Sequence, residues 1–148
     1  MWAFFALTPI NIYMIETLEK ISRTVSDFGN HSQFESWLLE VGKKAGSDLG
    51  PRNTRSICND NNYVRGCTSN VWITGKQDNN IWEFSFYSNS LFTNGIVHVL
   101  CETCNGMTTD QVNQVKFSDF DLIAGHITLN KKKGLQGMIN HIKNIVNT

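Results

Sequence analysis

An α+β domain, with helices packed over a small antiparallel sheet, is the fold class the sequence predicts, on three observations. Helical periodicity fills both ends of the chain, two alternating apolar segments lie between them, and a short polar run joins that pair. The length of 148 residues fits a single domain able to bury about two thirds of its unfolded surface. No internal repeat, low-complexity tract or linker divides it.

From Ile15 the apolar residues Ile15, Leu18, Ile21, Val25 and Phe28 recur around Glu16, Glu19 and Lys20, predicting an amphipathic helix that Gly29-Asn30 ends. A second short helix rests on Phe34, Trp37, Leu38 and Val41, with Gly42 standing where a C-terminal stop is expected. From Gly46 to Asn62 the chain carries Gly, Pro51, Asn and Asp with few large apolar side chains, which predicts a long surface loop. Alternation resumes between Asn70 and Thr74, with Val71 and Ile73 on one face and Trp72 and Thr74 on the other, so this segment reads as a strand. Lys76-Gln77-Asp78-Asn79-Asn80 reads as the connection to a second strand, Ile81 to Tyr87, whose Trp82, Phe84 and Phe86 share a face. The pair predicts a β-hairpin. Ser88-Asn89-Ser90 can cap a buried helix whose apolar face, Leu91, Phe92, Ile96, Val99 and Leu100, runs towards Cys101. Met107-Thr108-Thr109-Asp110 opens a short helix and turn over residues 108–125. Finally, Leu135, Met138, Ile139, Ile142, Ile145 and Val146 form one stripe opposite Gln136, Asn140, Lys143 and Asn144, predicting a C-terminal helix.

Thirteen Lys and Arg balance 13 Asp and Glu, so the chain lacks the positive field on which non-specific nucleic-acid binding depends, and no nucleic-acid partner is expected. Four cysteines are too few for a secreted disulfide scaffold, and a reducing compartment is expected, cytoplasmic or, in a eukaryote, an organellar stroma or matrix. The opening Met1 to Pro9 is apolar, yet no Lys or Arg precedes Lys20, which argues against signal and transit peptides. Pro9 and Asn11 interrupt it well before the ~20 apolar residues of a membrane span, so no membrane partner is expected. Residues 1–13 read as an N-terminal extension, with Met14 as an alternative start, and residues 14–148 as the domain.

The segment with most chemistry is Val64-Arg65-Gly66-Cys67-Thr68-Ser69-Asn70, where a cysteine follows a glycine immediately before a strand. Gly66 permits a tight turn, while Arg65, Thr68 and Ser69 offer positive charge and hydroxyl donors to a thiolate, surroundings that favour the reactive form. Thiols are also among the most buried side chains, so on these residues alone a packing cysteine and a reactive one stay equally open.

Gly66-Cys67-Thr68-Ser69-Asn70-Val71-Trp72 resembles the Gly-Cys-x-Ser-x-Val-Trp signature of the SufE family, which includes the CsdE proteins. Phe28, Phe34, Leu38 and Gly42 match that family's opening helices, and Ser88-Asn89 with Gly95 resembles its segment after the hairpin. His126-Ile127-Thr128 and Gly134-Leu135-Gln136-Gly137-Met138 resemble its closing motif, so the likeness runs over residues 14–146. The resemblance implies a SufE/IscU-like domain and a sulfur relay for iron–sulfur cluster assembly. In it, Cys67 would accept persulfide sulfur from a SufS/CsdA-type cysteine desulfurase, stimulate that enzyme and pass the sulfur to a SufBCD-type scaffold. The protein would be no enzyme itself and would need no cofactor, the pyridoxal phosphate belonging to the desulfurase. It would act as a monomer or weak homodimer, with Asn89, His126 and Lys131 as docking residues.

The sequence departs from that family pattern in three places. Thr68 replaces the usual Gln after the cysteine, Asn89 replaces an Asp, and Thr128-Leu129-Asn130-Lys131 replaces Ser/Thr-Pro-Ser/Thr-Arg. Lys131 keeps the positive charge of that Arg and loses its planar fork.

Cys101-Glu102-Thr103-Cys104 has the spacing of a redox couple or half a zinc site, yet no second half exists, and His31, His98, His126 and His141 are scattered. The bland expectation is that both cysteines end a helix, one facing the core. Lys131-Lys132-Lys133 reads as a solvated helix start, with desulfurase docking as its functional alternative. Two rival functions belong to other classes. An IscU-like metal or cluster scaffold needs Cys67 converging with Cys101 or Cys104, and a cysteine hydrolase needs Cys67 paired with His98 or His126.

Overall fold

The computed structural model describes residues 16–47 and 55–148. The expected extension over residues 1–13, together with Met14, Ile15 and residues 48–54 of the expected loop, lies outside them.

Residues 16–26 form helix α1, and Val25 on its inner face is buried. Asn30 then opens α2 (His31–Ser47), its Oδ1 accepting the Gln33 amide at 3.0 Å and so satisfying one of the free N–H groups of the first turn. Phe34, Leu38 and Ala45 bury one face of α2 completely. Gly42 does not stop this helix, contrary to the sequence expectation. It lies inside α2 at a crossing with α3 (Leu91–Cys104), where a Cβ would stand 1.9 Å from the Leu91 carbonyl oxygen. Gly95 does the same from the other side, its absent Cβ lying 2.4 Å from the Leu38 carbonyl oxygen. The two helices thus touch backbone to backbone.

The sheet has two antiparallel strands, β1 (Val71–Asp78) and β2 (Ile81–Ser88), in register from Val71 opposite Ser88 to Asp78 opposite Ile81. The first strand runs four residues beyond the expected Thr74, and the turn shrinks to Asn79-Asn80, at φ 51° and 66°. Asn tolerates this left-handed backbone, and two such residues make the tight turn that matches strand twist. Val71, Ile73, Phe84 and Phe86 face inward and are fully buried, while Trp82 is half-buried.

Ser90 caps α3, its side chain accepting the Thr93 amide. Ile96, Val99 and Leu100 pack on the sheet as expected, but Leu91 is half exposed because it precedes the buried turn, and the helix runs on to Cys104. Beyond it, α4 (Thr109–Asn113) is closed by a capping box of Thr108 and Gln111, a 3-10 turn covers Phe117–Phe120, and α5 (Asp121–Ala124) follows. The final helix, α6 (Leu129–Val146), is capped by Thr128 and lays Leu135, Met138, Ile139, Ile142 and Val146 into the core against β1 and α4. Reciprocal side-chain amide bonds between Asn113 and Asn147, at 3.0 and 2.7 Å, tie its end to α4.

The outer amides of β2 have unusual partners. Trp82 donates to the Met107 carbonyl at 2.8 Å, Phe84 to Asn105 Oδ1 at 2.7 Å and Ser88 to Asn94 Oδ1 at 3.0 Å. Both asparagines belong to α3 or its C-cap, so that helix stands where a third strand would.

Candidate functional site

The loop before β1 is pinned at both ends. The Val64 amide donates to the Val71 carbonyl and the Ile73 amide to the Asn62 carbonyl, each at 2.8 Å, leaving residues 65–70 as a short closed excursion. Gly66 sits at φ 93°, a left-handed conformation that costs a glycine little. That turn sends Cys67 inward onto α6, where Gly134 and Gly137 provide a flat seat. A Cβ at Gly137 would lie 2.6 Å from the Arg65 carbonyl oxygen, and one at Gly134 would lie 3.3 Å from Cys67 Sγ. The Cys67 thiol donates a weak hydrogen bond to the Gly134 carbonyl at 3.4 Å. Around it lies a recess of about 10 Å³, lined by Thr68 and Ser69 of the loop, Thr93 and Ile96 of α3, and Lys131 and Met138 of α6.

Cys67 is half-buried, and its burial pushes the thiol pKa up, with the Lys131 ammonium partly opposing that rise. This corrects the expectation that the loop itself favours the thiolate. Arg65 is exposed, and the charge that reaches Cys67 comes from a helix 64 positions further on, since 131 − 67 = 64. Thr68 and Ser69 do reach the recess as lining. Lys131 Nζ also lies over the Phe92 ring of α3, 5.3 Å from its centroid.

The other two expected docking residues sit elsewhere. Asn89 is exposed just beyond β2, and His126 stacks on Phe34 with ring centroids 4.7 Å apart. His98 lies 6.1 Å from Phe86, and neither histidine lines the Cys67 recess. The pairing that a cysteine hydrolase requires is therefore not formed there. Among the described residues, no group of three or more His, Cys, Asp or Glu side chains could hold a metal ion. No described helix is long and apolar enough to cross a membrane.

The family model named SufE and described as an Fe-S metabolism associated domain matches residues 19–146. The chain belongs to the SufE family. Among solved structures, the solution structure of a hypothetical protein from Thermus thermophilus is similar at a TM-score of 0.68 and 13% identity, covering 88% of this chain and 93% of that one. At that identity the likeness shows a common fold and supports the α+β expectation. Membership places this SufE domain in iron–sulfur metabolism.

The sequence singles out Cys67, and it offers Lys131 as a docking residue and Gly134 to Met138 as a motif of the SufE family, without placing them at the recess beside Cys67. A signal existed in Gly134-x-x-Gly137, because each glycine inside a helix costs up to ~1 kcal/mol relative to Ala, and such a pair marks a close approach.

Cys101 and Cys104 of the SufE domain are both buried, rather than one, and no disulfide joins any of the four cysteines. Burial pushes the Cys104 pKa up to about 12, with Lys143 opposing. Both should therefore resist alkylation in the folded protein, and replacing both by Ala should lower its stability. The Cys104 thiol also sets a pH dependence. Its native pKa stands above the ordinary 9.0, so the stability it contributes is complete below about pH 9 and is lost as pH rises towards 12. Chemical denaturation across that range should show Cys104→Ala losing less stability with pH than the parent protein. Equal losses would mean that Cys104 ionises in the native state as it does unfolded.

Proposed function

We propose that this SufE-family protein relays sulfur, with Cys67 accepting persulfide sulfur from a SufS/CsdA-type cysteine desulfurase and passing it to a SufBCD-type scaffold. The observation that carries the reading is a cysteine on a glycine-hinged loop, seated over a recess with room for one further atom. About 10 Å³ of free volume beside Sγ is close to the ~10–15 Å³ that a single water-sized guest requires. An outer persulfide sulfur is larger than water, so it would enter with a small outward shift of the loop that carries Cys67.

The step is an exchange between sulfurs. The Cys67 thiolate attacks the outer sulfur of the enzyme's persulfide, forming a new S–S bond as the old one breaks. The bonding pair leaves on the enzyme's cysteine sulfur as a thiolate, and the proton stays on the transferred sulfur. Nothing is oxidised or reduced overall, and the protein acts as carrier and stimulant of the desulfurase. In the seated conformation, the half-buried thiol donates to the Gly134 carbonyl, and its burial disfavours the thiolate while Lys131 partly opposes that. Acceptance requires the loop to carry Cys67 out to the partner's active site, and the return to the recess shelters the cargo from reductants.

The scaffold reading lacks support, because the described residues bring no set of thiolates and acids together. The test of the relay is the intact mass of the protein after incubation with cysteine and its cognate desulfurase. A gain of one sulfur atom, mapped to Cys67, supports the reading, and unchanged mass with a stimulated enzyme overturns it. A variant probes the recess. Gly134→Ala places a methyl group 3.3 Å from Sγ, at a residue that lines the recess, and so narrows it. It should still accept sulfur, yet lose the persulfide to added thiol several-fold faster than the parent. An unchanged lifetime would show that the recess does not shelter the cargo.

A further inference from the structure

One ring outside the recess carries a cation on its face. Phe92 is half-buried at the start of α3 and lies against the core, and the Lys131 ammonium stands over its face, 5.3 Å from the centroid. That separation is within the ~6 Å over which a ring face attracts a cation. Lys131 at the same time lines the Cys67 recess, and it is the charged side chain to do so. The loop contributes Thr68 and Ser69, α3 contributes Thr93 and Ile96, and α6 adds Asn130, Gly134 and Met138, all neutral. A lysine is a point charge on a flexible four-carbon stem, so something must hold it if its charge is to act at one place.

We propose that Phe92 is a positioning residue for sulfur acceptance, its ring holding the Lys131 ammonium beside Cys67, where that charge pairs with the sulfur anion. The inference rests on Cys67 as the acceptor, and it assigns Lys131 to the sulfur rather than to docking alone. Without the ring, the lysine swings into solvent and its interaction with sulfur is screened. The same clamp serves the thiolate before transfer and an ionised persulfide after it, since both put negative charge at one place.

Alkylation of Cys67 by iodoacetamide across pH, followed at its own peptide by mass spectrometry, tests this on the full chain without any desulfurase. Lys131→Met should move the midpoint of the rate profile to higher pH. Phe92→Leu should move it in the same direction and slow alkylation below the midpoint by about two- to fivefold, the factor expected from one cation–π contact. Phe92→Tyr should restore the parent profile. In a Lys131→Met background Phe92→Leu should add nothing. Phe92→4-cyanophenylalanine keeps the shape of the ring while draining its negative face, and should shift the profile even if Phe92→Leu loosens the helix. A parent-like profile for the cyano variant, or an equal Phe92→Leu shift with and without Lys131, overturns the assignment. Because this readout involves no partner, its failure is separate from failure of the relay, which persulfide mass alone decides.

Discussion

Cys67→Ser is expected to abolish sulfur acceptance and return the desulfurase to the turnover it shows alone. A hydroxyl cannot form the S–S bond, so neither the exchange step nor any stimulation that depends on it survives. Fold and docking should persist. Ser is close to Cys in size, the position is half-buried, and its hydroxyl can donate to the Gly134 carbonyl as the thiol does. Melting temperature and desulfurase binding should therefore stay near those of the parent while the added sulfur mass disappears. Persulfide labelling on Cys67→Ser at parental yield would remove the relay assignment. Alkylation speed alone would not single out Cys67, because Cys58 is exposed while Cys67 is half-buried, and desolvation raises the pKa of both thiols.

The largest expected effect on stability comes from Gly42→Ala. Its new methyl carbon would stand 1.9 Å from the Leu91 carbonyl oxygen, with the Gly95 amide nitrogen 3.0 Å away. Both neighbours are backbone atoms of α3 and cannot swing aside, so the helices must separate. Overpacking costs about 1–3 kcal/mol where side chains absorb it, and a backbone clash belongs at or above the upper end. The gain in helix propensity from Gly to Ala, up to ~1 kcal/mol, offsets only part. A net loss of about 2–3 kcal/mol is a large share of the ~5–15 kcal/mol that stabilises a domain. Thermal melting should fall by roughly 10 °C. Thr93 and Ile96 line the recess from the same helix, so the surviving folded protein should also transfer sulfur more slowly. A melting temperature within ~1 °C of the parent would mean that α2 and α3 do not cross at this glycine.

The two glycine readings show where sequence reasoning stops. Gly42 has the look of a helix end and instead lets one helix be crossed by another, because both uses require a missing side chain and leave the same letter. Val71 and Ile73 announce their strand through alternation, whereas Lys76, Gln77 and Asp78 hide its continuation. Those three are exposed in the sheet or close to it, and an exposed strand end has the composition of a turn. Cys67 stands out through its local neighbours and its resemblance to SufE proteins. Its electrostatics do not, since Lys131 and Gly134 are brought to it only by the packing of α6. The expectation of one core-facing thiol in Cys101-Glu102-Thr103-Cys104 is too small by one. Positions three apart on a helix share a face, and both thiols are buried.

The amides along β2 bear on a hazard that every two-stranded sheet carries. An open strand edge is a template on which a strand of another molecule can add, and so a seed for fibrous assembly. Here the outer N–H groups of Trp82, Phe84 and Ser88 already donate to Met107, Asn105 and Asn94. An incoming strand would have to displace two buried side-chain amides and shift a packed helix before making its first bond. The arrangement takes the amides of Trp82, Phe84 and Ser88 out of reach of an incoming strand, and it does so with residues of α3 and the turn after it rather than with a third strand.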